Sequence, residues 1–209
     1  MFLNEQYVDD LYAKDADLEH VKAVLAERGM PDISVADGYG RLLTMLVRLK
    51  GAISVLEIGA LGGYSGICLA RGMGEAGKLV SLELLQHYAD VAKANMEAAG
   101  LGDKVEYVVG DAKASLAQLA SEGRKFDFFF IDADKEGYPI YLDFALEMAN
   151  PGALIVGDNI FLRGRTVDET KQGPAVRAVR SFNERIATDE RLMSTVIPGY
   201  DGLAIAIVK

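Results

Sequence analysis

Two short segments carry the residue types most able to do chemistry. Asp132-Ala133-Asp134-Lys135 follows the apolar run Phe126–Ile131, and Asp158-Asn159 follows the run Ala153–Val156. Each run reads as a buried strand, so both segments fall at the carboxyl edge of a sheet, where open α/β folds bind ligands. Asp132, Asp158 and Asn159 offer three hard oxygen donors without histidine or cysteine, a set suited to Mg²⁺, Mn²⁺ or Ca²⁺. Lys135 lies three residues after Asp132. A divalent cation beside it would disfavour the protonated amine and make it a usable general base near neutral pH. A metal also lowers the pKa of a bound hydroxyl and orients it. Taken singly, Asp132 and Asp158 read better as turn or cap residues, and Lys135 as a solvated amine. Taken together, oxygen donors and a lysine converging on one sheet edge favour a site.

A second group lies earlier, in Val55-Leu56-Glu57-Ile58-Gly59-Ala60-Leu61-Gly62-Gly63-Tyr64-Ser65-Gly66. A strand enters a glycine-rich turn and a helix follows, so backbone N–H groups face a ligand position. Neither G-x-G-x-x-G nor G-x-x-x-x-G-K-[ST] fits, which removes the two commonest phosphate cradles. Glu57 would repel a pyrophosphate and suit a cationic amine. Glu83 closes the next strand, spaced to accept ribose hydroxyls, and Gly110-Asp111-Ala112 follows the third. An amine, a ribose and no phosphate describe S-adenosylmethionine. The alternative, that Gly59, Gly62 and Gly63 only make a tight turn, holds equal weight until Glu83 and Asp111 are added.

The elements that must position these residues alternate. Ile53–Ile58, Leu79–Leu82, Val105–Val109, Phe126–Ile131 and Ala153–Val156 read as strands. Between and after them Tyr64–Arg71, Tyr88–Ala99, Ala112–Ala120, Tyr138–Met148 and Ala175–Ala187 read as helices. That order predicts right-handed crossovers and a mostly parallel sheet with helices on both faces, and near-continuous apolar strands suit burial on both sides. Leu192–Ile197 and Leu203–Val208, around Pro198-Gly199-Tyr200-Asp201-Gly202, read as a closing antiparallel hairpin. The expected class is α/β: a Rossmann-like seven-stranded sheet of the class I methyltransferase pattern. It forms one domain over 1–209, with a helical cap over 1–50 and a core over 51–209. In the cap, an acidic helix is expected within the first 30 residues and a second one ending near Gly51.

Composition bounds the rest. The 209 residues are 50% hydrophobic and 25% charged, an ordinary globular balance. One cysteine, Cys68, excludes an internal disulfide and a thiolate cage, and two histidines, His20 and His87, exclude a three-histidine zinc site. The formal net charge of −9 argues against broad nucleic-acid binding. The start, Met1 to Tyr7, lacks the basic, apolar pattern of a leader, and no apolar window reaches membrane-spanning length, so the expected compartment is cytoplasmic. Cys68 reads as a buried thiol, His20 as exposed and His87 as a surface or cofactor-rim residue.

On Val55–Gly59 with Gly63-Tyr64-Ser65, Ile131–Lys135 and Gly157-Asp158-Asn159, the chain resembles the cation-dependent O-methyltransferases related to catechol and caffeoyl-CoA O-methyltransferases. The resemblance runs from about Ile33 to the C-terminal hairpin. It implies that Glu57 and Gly59 line the methionine part of S-adenosylmethionine, that Ser65 holds its carboxylate and that Glu83 takes its ribose. Asp111 and Ala112 would flank the adenine, and Val35 would contact the cofactor through its backbone. Asp132, Asp158 and Asn159 would bind Mg²⁺, with Asp132 also near the methionine amine, and Lys135 would deprotonate the acceptor hydroxyl. The implied acceptor is a small aromatic molecule with vicinal hydroxyls, the implied assembly a homodimer. The family also includes enzymes acting on a tRNA hydroxyuridine, which would need only a local basic patch on this acidic chain. Ala60-Leu61-Gly62-Gly63, Gly137 and the turn around Tyr200 depart from the family pattern and bear on acceptor choice. Tyr138 is read either as a ring stacked on the acceptor or as helix packing. Arg163, in the loop Ile160–Thr166, is read either as a ligand for an anionic acceptor tail or as an ordinary surface residue.

Overall fold

The computed structural model describes residues 3–209. Met1 and Phe2, the first two residues of the start read as lacking a leader pattern, lie outside the described residues. The elements follow as α1 (Leu3–Asp10), α2 (Ala16–Glu27), α3 (Asp37–Lys50), β1 (Ser54–Ile58), α4 (Tyr64–Gly72), β2 (Lys78–Glu83), α5 (Gln86–Ala98) and β3 (Val105–Val109). Then come α6 (Ala112–Ser121), β4 (Phe126–Ile131), α7 (Tyr138–Met148), β5 (Ala149–Asp158), α8 (Pro174–Thr188), β6 (Leu192–Ile197) and β7 (Leu203–Val208). The seven strands run in the order β3-β2-β1-β4-β5-β7-β6. The chain divides into two units, one ending at Asp111 and one spanning Ala112–Lys209.

In the first unit, β1, β2 and β3 pair in parallel, with Glu57 opposite Ser81 and Ser81 opposite Tyr107. Val55, Leu56, Ile58, Leu79 and Leu82 have at most 1% of their surface exposed, as strands covered on both faces require. The N-terminal helices belong to this unit. Helix α3 buries Tyr39, Leu43 and Val47, one stripe at helical spacing, and leaves Met45 and Leu49 exposed. It closes on α4 because Gly72 has no side chain: a Cβ there would stand 2.6 Å from the Thr44 carbonyl oxygen. The acidic N-terminal stretch is two helices. The first ends at Asp10, and Asp15 caps the second, accepting from the N–H groups of Asp17 and Leu18.

In the second unit, β4 and β5 are parallel, and β7 lies antiparallel between β5 and β6. Phe126, Phe128, Phe129 and Phe130 are fully buried and anchor this core. The fifth strand starts earlier than the apolar run suggests, at Ala149. The register slips between Phe126 and Phe128, so Asn150-Pro151-Gly152 is carried in an irregular start of the strand. Asn150 Nδ2 donates to Asp127 of the neighbouring strand at 2.9 Å, which ties that start down. Among the described residues no helix is long and apolar enough to cross a membrane.

Candidate active site

The glycine turn of the first unit is built around two carboxylates. Glu57, late in β1, is completely buried. Ser65 Oγ, in the first turn of α4, donates to Glu57 Oε1 at 2.6 Å, and Ser81 Oγ of β2 donates to Oε2 at 2.5 Å. Glu57 therefore lies beneath the turn, held by hydroxyls from a helix and the neighbouring strand. Ser81 was not singled out in the sequence, although a serine inside Leu79-Val80-Ser81-Leu82 signals a buried polar partner.

Glu83, at the end of β2, grips the turn directly. Its Oε2 accepts from the N–H groups of Ala60 (3.2 Å) and Leu61 (2.9 Å), and its Oε1 from that of Leu85 (3.0 Å). Leu61 has φ +48, a left-handed conformation disfavoured for a branched side chain, so these bonds hold it there. The Gly59 N–H donates to the Leu82 carbonyl oxygen, which fastens the start of the turn to β2. Gly63 has φ +86, and a Cβ there would meet the Ala92 backbone oxygen at 3.1 Å. A carboxylate has about four lone-pair positions, so Glu83 keeps capacity for a ligand beyond its three N–H partners.

Val35 is buried in the segment before α3. Beside it, Ser34 Oγ is buried and has no hydrogen-bond partner among the described residues, the condition of a polar atom awaiting a ligand. Asp111 is exposed just after β3, and Ala112 opens α6. At Gly110, between β3 and Asp111, φ is +141 and a Cβ would meet nothing within 4 Å.

The second unit brings the other predicted residues together. Lys135 Nζ donates to Asp132 Oδ1 (2.9 Å), Asn159 Oδ1 (3.0 Å) and the Tyr138 hydroxyl (2.5 Å). Asn159 adopts φ +57, which asparagine tolerates better than most residues. Asp158 is 2% exposed and accepts from the Asn159 N–H at 2.7 Å. Burial, and then the nearby Asp132 charge, push its carboxyl up to about 7, against the lowering effect of the Asn159 N–H and Lys135. With a single ammonium between them, Asp132 and the buried Asp158 ionise together readily only when a further positive charge is present. A divalent cation would supply it, so this donor set fits such a metal. Among the described residues no three of His, Cys, Asp and Glu gather as a metal cage; the set here is two carboxylates and an amide.

Tyr138 is fully buried, and its ring meets Phe182 edge-on at 5.1 Å. The hydroxyl bonds to the backbone oxygens of Ile131 (3.1 Å) and Asp158 (2.7 Å), which joins the ends of β4 and β5. Of the two readings of Tyr138, packing is therefore the one realised. No ring face remains for an acceptor, because the α7 position that begins the helix points into the core. Gly137 is likewise enclosed: a Cβ there would lie 2.3 Å from the Tyr141 ring. Arg163 is exposed, in a loop whose backbone is tied to Asp201. Cys68 is buried and its thiol is pushed up to about 12 by desolvation, an unreactive state.

Residues 10–209 match the model of the O-methyltransferase family. The chain belongs to that family. A catechol O-methyltransferase from Niastella koreensis is 41% identical, over 98% of this chain and 96% of the relative. An O-methyltransferase from Bacillus cereus, solved in complex with SAH, superposes with a TM-score of 0.92 at 43% identity, covering 98% of this chain and 96% of that one. TomG from Streptomyces achromogenes, an O-methyltransferase of tomaymycin synthesis solved with SAM, gives a TM-score of 0.90 at 36% identity over 98% and 95%. The seven-stranded sheet with its terminal antiparallel hairpin is that of the class I methyltransferases. This O-methyltransferase thus stands among the S-adenosylmethionine-dependent enzymes.

Proposed function

We propose that the enzyme transfers the methyl group of S-adenosylmethionine to one hydroxyl of a catechol-like small molecule, with Mg²⁺ or a similar hard cation in the site. The observation that carries this reading is the Asp132–Lys135–Asn159 cluster beside the buried Asp158. The catechol O-methyltransferase name of a relative covering nearly the whole chain supports the acceptor class.

In this reading the remaining acceptor capacity of Glu83 takes the ribose hydroxyls of the methyl donor, and Glu57, Gly59, Ser65 and Val35 line the donor's methionine side. The unpartnered Ser34 hydroxyl supports a ligand near Val35. Ser65 already directs its single proton to Glu57, so it would meet the donor's carboxylate only after turning that proton away. Asp111 and Ala112 flank the adenine. Asp132, Asp158 and Asn159 would hold the cation, which would supply Lewis-acid polarisation of the acceptor. Lys135 is an ammonium in its three hydrogen bonds, so it would first lose a proton to solvent beside the cation; the neutral Nζ then takes the acceptor hydroxyl proton, and the oxygen left behind attacks the donor methyl carbon as the thioether departs. Alignment of the two reactants accounts for much of the rate. The chain acts as one methyltransferase domain in the cytoplasm and assembles as a homodimer, a reading the exposed Met45, Leu49 and Ile53 support.

The test is methyl transfer from S-adenosylmethionine to catechol and 3,4-dihydroxybenzoate, with Mg²⁺ and with EDTA. EDTA should abolish transfer, and Lys135→Ala should abolish turnover while the donor still binds in calorimetry. Transfer that ignores EDTA, or an active Lys135→Ala enzyme, refutes the assignment.

A further inference from the structure

The loop after Asn159 holds a costly shape. Leu162, Arg163 and Gly164 are consecutive left-handed residues, with φ of +51, +54 and +80. L-residues do not stay in such a run unless their surroundings over-determine it. On one side the turn between β6 and β7 supplies the anchor. Asp201 Oδ1 accepts from the Arg163 N–H at 2.6 Å, and the Asp201 carbonyl oxygen accepts from the Phe161 N–H at 2.9 Å.

On the other side stands Arg180 of α8, a residue the functional reading leaves without a role. Its guanidinium donates to four backbone oxygens of the same loop: Thr166 (2.8 Å), Lys171 (2.9 Å), Arg165 (3.2 Å) and Asp168 (2.6 Å). Only a planar fork with five fixed N–H donors can collect oxygens spread over seven positions of chain. Arg163 is itself tied to Asp201 through its backbone N–H, next to the stretch that Arg180 holds, and its side chain is exposed four residues beyond Asn159.

We propose that Arg180 is a positioning residue: it holds residues 163–171 as a preformed arm and thereby aims Arg163 at a carboxylate on the acceptor, so that the favoured acceptors are catechols bearing an anionic tail. The inference rests on the reading of the enzyme as a catechol methyltransferase. A preformed arm spares the acceptor the ordering cost of a loose loop, and an Arg–carboxylate pair is charge-assisted.

The test compares wild type, Arg163→Ala, Arg180→Lys and the double variant. The readouts are KM for 3,4-dihydroxybenzoate and for neutral catechol, donor affinity by calorimetry, and tryptic nicking within 163–171. Lysine keeps the charge but cannot span four oxygens. Arg180→Lys should nick about tenfold faster, since the loop opens locally, and raise KM for dihydroxybenzoate about tenfold. KM for catechol and donor affinity should stay within about twofold, because neither involves the arm. Arg163→Ala alone should show the same charged-acceptor selectivity, and adding it to Arg180→Lys should change nothing more. Equal KM shifts for the two catechols, additive single effects, or nicking as slow as wild type overturns the proposal. A wild-type enzyme that methylates neither catechol overturns the functional reading and the proposal together, an outcome distinct from an active wild type with an unaltered Arg180→Lys.

Discussion

Replacing Glu83 by Gln separates holding the turn from binding the donor. The carboxylate accepts three N–H groups, two on Oε2 and one on Oε1. An amide of the same shape has a single acceptor oxygen, so its NH₂ group must face at least one of those donors. If the oxygen serves Ala60 and Leu61, the Leu85 N–H is lost; if it serves Leu85, two buried bonds are lost and Leu61 is released from its left-handed backbone. The cheaper arrangement costs about 1–3 kcal/mol, the penalty of one unmet donor beside a former charged acceptor. For a chain of this size, each kcal/mol moves Tm by roughly 2–4 °C, so a fall of about 2–12 °C is expected. Scanning calorimetry of the ligand-free protein reads it, with urea unfolding to check that the slope m is unchanged. Donor affinity measured in parallel should fall as well. A Tm within 1 °C of wild type would refute the view that Glu83 organises the turn, whatever happened to binding.

Asp158 makes the metal-free protein pH-sensitive. Its carboxyl is raised in the folded state, so the stability tied to its protonated form is complete below the ordinary carboxylate range, near pH 4, and is lost as pH rises toward 7. Urea melts in EDTA should therefore show Asp158→Asn losing less stability than wild type between pH 5 and 8, and Mg²⁺ restoring wild type at pH 8; parallel profiles would contradict the cause assigned. Gly137→Asn should destabilise by about 1–3 kcal/mol because the Tyr141 ring occupies the Cβ position, measured as a lower Tm; an unchanged Tm would show that the ring yields freely.

The order of elements was legible because each local rule agrees with the fold. The strand at Phe126–Ile131 begins and ends where its apolar run does, since a strand covered on both faces admits few polar residues. The polar residues at strand ends, Asp132, Asp158 and Asn159, stood out for the same reason. Boundaries set by pairing or capping were harder to read. β5 reaches back to Ala149 through a bulge, and Asp15 divides a helical stretch whose apolar spacing continues across it.

By itself, then, the sequence determined which elements form, their order, and which residues reach the ligand-binding edges, because those follow from periodicity and turn chemistry within a few residues. The tertiary structure decided what those residues do there. Glu83 holds N–H groups 22 and 23 residues earlier, Glu57 lies sealed under a hydroxyl of β2, and Tyr138 closes the core against Phe182. Arg180 holds a loop 9 to 15 residues away. Hydrogen-bond partners, desolvation and the space around a Cβ depend on which distant segments meet, and no local pattern encodes that.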